Sequence, residues 1–134
     1  MSAEPTLVET LREAMHAEYA TLFVLPQHLA RLEDEEMKRE LKKIARDEMK
    51  HAEKTAQMLQ QLSDEPFVDF RRDRPGSSLM EILEMHQRKE KEAIRIYKRA
   101  ENLCQDAEMQ KQLVELRCEE EVHLRTLQRL LDRL

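Results

Sequence analysis

Tryptophan is absent, glycine occurs once, proline four times and aromatics make up only 4% of the 134 residues. So few turn formers and aromatics exclude a chain of many short strands and leave long helices. The two cysteines, Cys104 and Cys118, form no CxxC pair. Neither a disulfide framework nor a thiolate metal site is expected, only two buried or half-buried thiols in a reducing compartment. Basic excess is also missing: the net charge is −5, with both signs interleaved, which excludes a nucleic-acid footprint. No apolar run approaches a membrane span, and the opening MSAEPTLVET carries no signal-peptide h-region. The expected location is the cytoplasm, with no nucleic-acid and no membrane partner.

What is present is charge, at 38% of residues, together with abundant Leu, Glu, Ala, Lys, Arg, Met and Gln. These are good helix formers, and the length suits one domain over residues 1–134. Four apolar stripes step by three and four. The first runs Leu7, Leu11, Ala14, Glu18, Leu22, Leu25, Leu29, Leu32, and the second Leu41, Ile44, Ala45, Glu48, His51, Ala52, Met58, Leu59, Leu62. The third runs Leu79, Leu83, His86, Glu90, Ala93, Ile94, Tyr97, Ala100, Cys104, and the fourth Leu113, Leu116, Glu120, His123, Leu124, Leu127, Leu130, Leu131, Leu134. Polar breaks near residues 33 and 105 make two helical hairpins. Between them SDEPFVDFRRDRPGSS, Ser63 to Ser78, holds two prolines and the only glycine, a non-helical connection. Extended, it reaches roughly 50 Å, more than the about 42 Å of a 28-residue helix, so it can cross the length of a bundle. The expected fold is all-α: an antiparallel four-helix bundle with a long crossover between the second and third helices. Pro26 should kink the first helix without ending it. Ser78 or Ser77 should cap the third, with Glu81 completing a capping box.

A carboxylate and an imidazole interrupt the apolar stripe twice, as Glu48-x-x-His51 in ARDEMKHAEK and as Glu120-x-x-His123 in RCEEEVHLRT. Glu18 precedes Glu48 by 30 residues, and Glu90 precedes Glu120 by 30. A shift of 72 lays Glu18 on Glu90, Glu48 on Glu120 and His51 on His123. The same shift lays Leu11 on Leu83, Leu41 on Leu113 and Leu59 on Leu131. The ExxH formed by Glu13 and His16 falls on Met85 and Arg88, so it reads as chance. Each glutamate lies 15 residues from its hairpin turn, which sets all six groups at one height in antiparallel helices. Left empty, such a layer is unfavourable, because buried carboxylates repel and lose hydration. Metal binding relieves both penalties. Oxygen and imidazole donors without thiolate suit iron or manganese, with zinc possible. One Glu from each of two helices plus Glu-x-x-His from each of the others is a di-iron or di-manganese donor set. Glu92 falls about 200° around the helix from Glu90 and is the weaker candidate.

With these motifs the sequence resembles the ferritin-like di-iron carboxylate proteins, bacterioferritins and rubrerythrins among them. DEMKHAEK, Asp47 to Lys54, is similar to the second-helix motif of bacterioferritins. The resemblance implies Glu18 and Glu90 as terminal ligands, Glu48 and Glu120 as bridges, and His51 and His123 as one ligand to each of two iron ions. Manganese or a mixed manganese–iron pair is the alternative filling. It implies Asp47 and Glu119 as acceptors that orient the imidazoles. Tyr97 matches a tyrosine often near such sites, while its counterpart is Leu25, where the family often has a second tyrosine. Met49 stands where a bacterioferritin methionine can ligate haem, but methionine is also a common core and interface filler, and haem is not expected. The implied activity is oxidation of Fe(II) by dioxygen or hydrogen peroxide, with an unknown electron donor, in iron handling or oxidative-stress protection. A rubrerythrin-like peroxide reductase is the alternative. Against it, Ala93 stands where rubrerythrins usually carry a further glutamate, and no Cys-rich rubredoxin domain is present. Oxygenation of an organic substrate, and a non-catalytic metal-stabilised or storage module, are the remaining readings. His86 is expected to be an extra ligand or a polar neighbour of the site, His16 and His28 partly exposed, and Tyr19 a packing residue. A homodimer, through the faces of the first two helices, or a higher homo-oligomer is the expected assembly. Ferritin and bacterioferritin cages use a fifth short helix, and with Leu134 last here a 24-subunit shell is not expected.

Overall fold

The computed structural model describes residues 5–63 and 75–134, which form four helices: α1 (Leu7–Arg31), α2 (Glu35–Leu62), α3 (Leu79–Leu103) and α4 (Ala107–Asp132). Each helix starts at a side-chain oxygen that accepts an otherwise unpaired N–H. Thr6 accepts from Glu9 N at 3.1 Å, Asp34 from Met37 N at 3.0 Å, Ser78 from Glu81 N at 3.1 Å and Asp106 from Met109 N at 2.8 Å. Each cap is worth about 1 kcal/mol, and acidic residues in every first turn suit the positive helix end. The shift of 72 holds for architecture as well as for side chains. Thr6 and Asp34 map onto Ser78 and Asp106, and α1 maps onto α3 end to end. The expected capping box on α3 is displaced by one residue: Ser78 is the cap, while Glu81 accepts from Ser77 N and Oγ at 2.9 and 2.6 Å. Pro26 lies within a continuous α1. The greater part of the expected crossover, 64–74, lies outside the described residues.

α1 neighbours α2 and α3, and α4 neighbours α3 and α2, a square of four. Two apolar clusters fill its ends. One gathers Leu11, Met15, Met58, Ala100, Leu113 and Leu116, the other Leu25, Met37, Leu41, Ile82, Leu83 and Leu127. α2 runs from Met37 in one cluster to Met58 in the other, and α3 from Ile82 to Ala100, so these two helices are parallel and each hairpin is antiparallel. The repeat-related leucines Leu11, Leu83, Leu41 and Leu113 are all fully buried, each burial worth about 1.5–3 kcal/mol.

The α1 stripe differs from the expected one. Beyond Glu18 the buried face passes through Thr21, Leu25 and His28, while Leu22 and Leu29 sit at its edge. A period of 3.6 residues moves the face in steps of three as well as four, and strings of leucine alone misplace it. Tyr19, expected to pack, is 46% exposed, and Cys118 is exposed where a buried or half-buried thiol was expected; Cys104 is buried. Phe23 and Met49 are exposed too. Leu22, Leu25, Pro26, Leu29, Ala45, Arg46 and Met49 line an apolar groove of about 400 Å³ along α1 and α2. Among the described residues, no helix is long and apolar enough to cross a membrane.

Candidate metal centre

The six donors sit where the heptad-like steps of each helix face the bundle axis, between the two apolar clusters. Glu18, Glu48, His51, Glu90, Glu120 and His123 are each at most 4% exposed. They form two overlapping groups, Glu18–Glu48–His51–Glu120 and Glu48–Glu90–Glu120–His123, each with one donor atom per residue inside 4.8 Å. Glu48 and Glu120 belong to both groups. Glu92, the weaker candidate, is exposed. Glu13 of the chance ExxH pairs with Arg99 at 2.6 Å, and His16 is half-buried.

The imidazoles are tied from outside, crosswise between α2 and α4. His51 Nε2–H donates to Glu119, and His123 Nε2–H donates to Asp47 Oδ2 at 2.8 Å. Each Nε2 is thereby committed outward, and Nδ1 is the nitrogen left for the centre. His51 Nδ1 lies 2.6 Å from Glu120 Oε1, and His123 Nδ1 lies 3.0 Å from Glu48 Oε1 and 3.5 Å from Glu90 Oε2. None of these approaches has hydrogen-bond alignment. Glu18 Oε2, Glu48 Oε1, Glu90 Oε2, both Glu120 oxygens and both Nδ1 atoms remain buried without a hydrogen-bond partner. Close donors that do not bond one another converge on a shared point, the arrangement a pair of cations satisfies. The donor set, all carboxylate and imidazole, suits Fe(II) or Mn(II).

Electrostatics show the strain of the layer without cations. Burial first, then neighbouring Glu120, raises the Glu48 carboxyl to about 7, and burial with Glu48 raises Glu90 to about 7. Burial also raises Glu18 and Glu120 well above the usual range, helped by Glu48 on the first and by Glu18 and Glu90 on the second. For the imidazoles burial opposes charge, but the carboxylates outweigh it. Glu120 and Glu18 push His51 up to about 12, and Glu48 and Glu90 push His123 up to about 11.

Tyr97 is fully buried, and its hydroxyl donates to Glu18 Oε1 at 2.7 Å. Thr55 Oγ1 lies 3.4 Å from that hydroxyl. Thr55 escaped the sequence reading because it sits on the stripe as a tolerated small residue; the signal was a hydroxyl seven residues after Glu48, two turns along the same face. Burial, with Glu18 beside it, raises the phenol well above its usual range and keeps it a donor. His28, expected to be partly exposed, is fully buried. His86 bonds to none of the six donors; it is within 2.7 Å of His28 instead. Those two residues are 58 apart, so neither local periodicity nor motif spacing reveals the pair.

No protein-family model and no curated protein matches the sequence. A solved structure described as ferritin like, diiron-carboxylate proteins from Bacillus anthracis str. Ames matches with a TM-score of 0.84. The match covers 93% of this chain and 94% of that one at 24% identity. The likeness shows that the fold is ferritin-like.

Proposed function

We propose that this chain is a di-iron protein that oxidises Fe(II) with dioxygen or hydrogen peroxide. The observation that carries the reading is the sharing of Glu48 and Glu120 between two otherwise separate donor groups. Two carboxylates common to both groups suit two adjacent cations. Two divalent cations also balance the charge of the four glutamates, whose raised pKa values mark the cost of leaving them together. Glu18 and Glu90 would each hold one cation, and His51 and His123 would each supply one nitrogen through Nδ1. When bound, the iron pair supplies two electrons for reduction of the oxidant.

The chain's own residues hold and orient. Asp47 and Glu119 fix the tautomer and plane of the imidazoles by accepting Nε2–H. Tyr97 fixes Glu18 by donating to Oε1, which leaves Oε2 to the metal. The apolar clusters on either side exclude water from the carboxylates. Metal uptake must displace protons from Glu48 and Glu90 and from both Nδ1 atoms.

Anaerobic addition of two Fe(II) per chain followed by air tests the reading. Dioxygen uptake together with a ferric near-ultraviolet band within seconds is expected. Two tightly bound Fe(II) that stay ferrous in air and in peroxide would make the centre a structural one, and absence of binding would remove the di-iron reading altogether.

A further inference from the structure

His28 and His86 are both fully buried and belong to neither donor group of the centre. Gly76 N–H donates to His28 Nε2 at 3.0 Å. An amide nitrogen cannot accept, so His28 Nε2 carries no hydrogen and the ring's proton sits on Nδ1. His28 Nδ1–H then donates to His86 Nε2 across 2.7 Å, which leaves the proton of His86 on Nδ1. Both rings are neutral: burial, with Arg31 and Lys89, lowers His28 to about 4, and burial, with His28 and Lys89, lowers His86 to about 3. The donors therefore point one way, from Gly76 through His28 to His86. The last of them, His86 Nδ1–H, is buried with no protein acceptor.

The single glycine of the chain makes the first link. A Cβ at position 76 would come within 3.0 Å of Ile82 N and 3.2 Å of the Glu81 carbonyl carbon. Only glycine lets this backbone lie against the start of α3 and offer its N–H to His28. The repeat shows that the array is one-sided. Shifted by 72, His86 and His28 correspond to Ala14 and Ala100, both buried. The side with the histidines is the side on which the terminal carboxylate has no tyrosine beside it. Glu18 receives the Tyr97 hydroxyl, whereas the residue related to Tyr97 on the Glu90 side is Leu25. Glu90 Oε2 is buried without a partner. Glu90 follows His86 by four residues, one turn along the same buried face of α3.

We propose that His86 is a positioning residue for Glu90: its Nδ1–H, aligned by His28 and Gly76, holds one buried water that donates to the Glu90 carboxylate. An unpartnered donor and a buried carboxylate one turn apart supply the two polar contacts that a buried water minimally requires. His86 thus does for one terminal carboxylate what Tyr97 does for the other. The inference rests on Glu90 being a metal ligand, as proposed above.

Anaerobic Co(II) titration of the full chain separates the two ideas. The wild type is expected to bind two Co(II). His86→Leu is expected to weaken one of them about 10-fold or more and to spare the other. His86→Asn, whose side-chain amide N–H lies near the Nδ1 position, is expected to restore most of the affinity. Equal binding by wild type and His86→Leu overturns the inference, as does an Asn variant as weak as the Leu variant, or equal weakening at both positions. A wild type that takes up no Co(II) overturns the di-iron reading itself, and the inference with it. Imidazole nitrogen-15 shifts of the metal-free wild type give a readout that needs no metal. A protonated Nδ1 and bare Nε2 are expected on both His28 and His86, and a protonated His86 Nε2 overturns the inference.

Discussion

The metal-free protein should become less stable as pH rises. In the folded, metal-free chain Glu48 and Glu90 keep protons up to about pH 7, and His51 and His123 keep theirs up to about 12 and 11. Unfolded glutamate and histidine lose theirs near about 4.3 and 6.5. All four pKa values are raised by folding, so the folded state binds more protons than the unfolded state above about pH 5, and stability falls with rising pH. His28 and His86 act oppositely. Their pKa values are lowered to about 4 and 3, so their stabilisation is lost on acidification below about pH 6.5 and is constant above it. The window from about pH 6.5 to 8.5 therefore isolates the centre. His51 and His123 alone hold between one and two excess protons across these two units, worth about 5 kcal/mol, or about 15 °C in Tm for a chain of this size. Calorimetric or circular-dichroism melts of chelator-treated protein at the two pH values should show that drop. The same melts with Mn(II) bound should lose most of it, because the cations replace the protons. A metal-free Tm that holds or rises over this window, or an equal slope with metal bound, would refute the reasoning.

Two further perturbations probe individual contacts. Tyr97→Phe removes the donor to Glu18 and leaves a buried carboxylate oxygen unpaired; a loss of about 1–3 kcal/mol is expected in urea unfolding, and an unchanged midpoint would show that the bond carries no weight. Gly76→Ala forces a Cβ to within 3.0 Å of Ile82 N, with a loss of about 1–3 kcal/mol and a shift of the His28 ring resonances, both absent if this turn moves aside freely.

The bundle and the gathering of these six side chains were legible because both are written in short-range periods. The caps follow from Thr, Asp and Ser at helix starts, and the donors from a carboxylate and an imidazole replacing apolar residues in register. The duplicated 30-residue interval supplied the third dimension: two antiparallel hairpins with equal arms bring their midpoints to one level. What escaped depends on pairs far apart in sequence. His28 meets His86 across 58 residues, and Glu18, the partner of the expected site tyrosine Tyr97, lies 79 residues from it. The burial of His28 was hidden because the α1 face turns through Thr21 and His28, polar residues that a search for leucine steps passes over. The resemblance named Asp47 and Glu119 as acceptors for the imidazoles; what it did not give is the crossing, Asp47 to His123 and Glu119 to His51, which arises only when α2 and α4 lie side by side.

The constant offset between α1–α2 and α3–α4 has a genetic reading. A half-length chain carrying Glu18, Glu48 and His51, paired with its own copy, would assemble all six donors, with each copy's Asp47 reaching the other's histidine. Tandem duplication and fusion of such a half produces this topology, and fusion frees the halves to diverge. Tyr97 against Leu25 and His86 against Ala14 are differences that a self-paired half could never acquire, and they make the two donor groups chemically distinct.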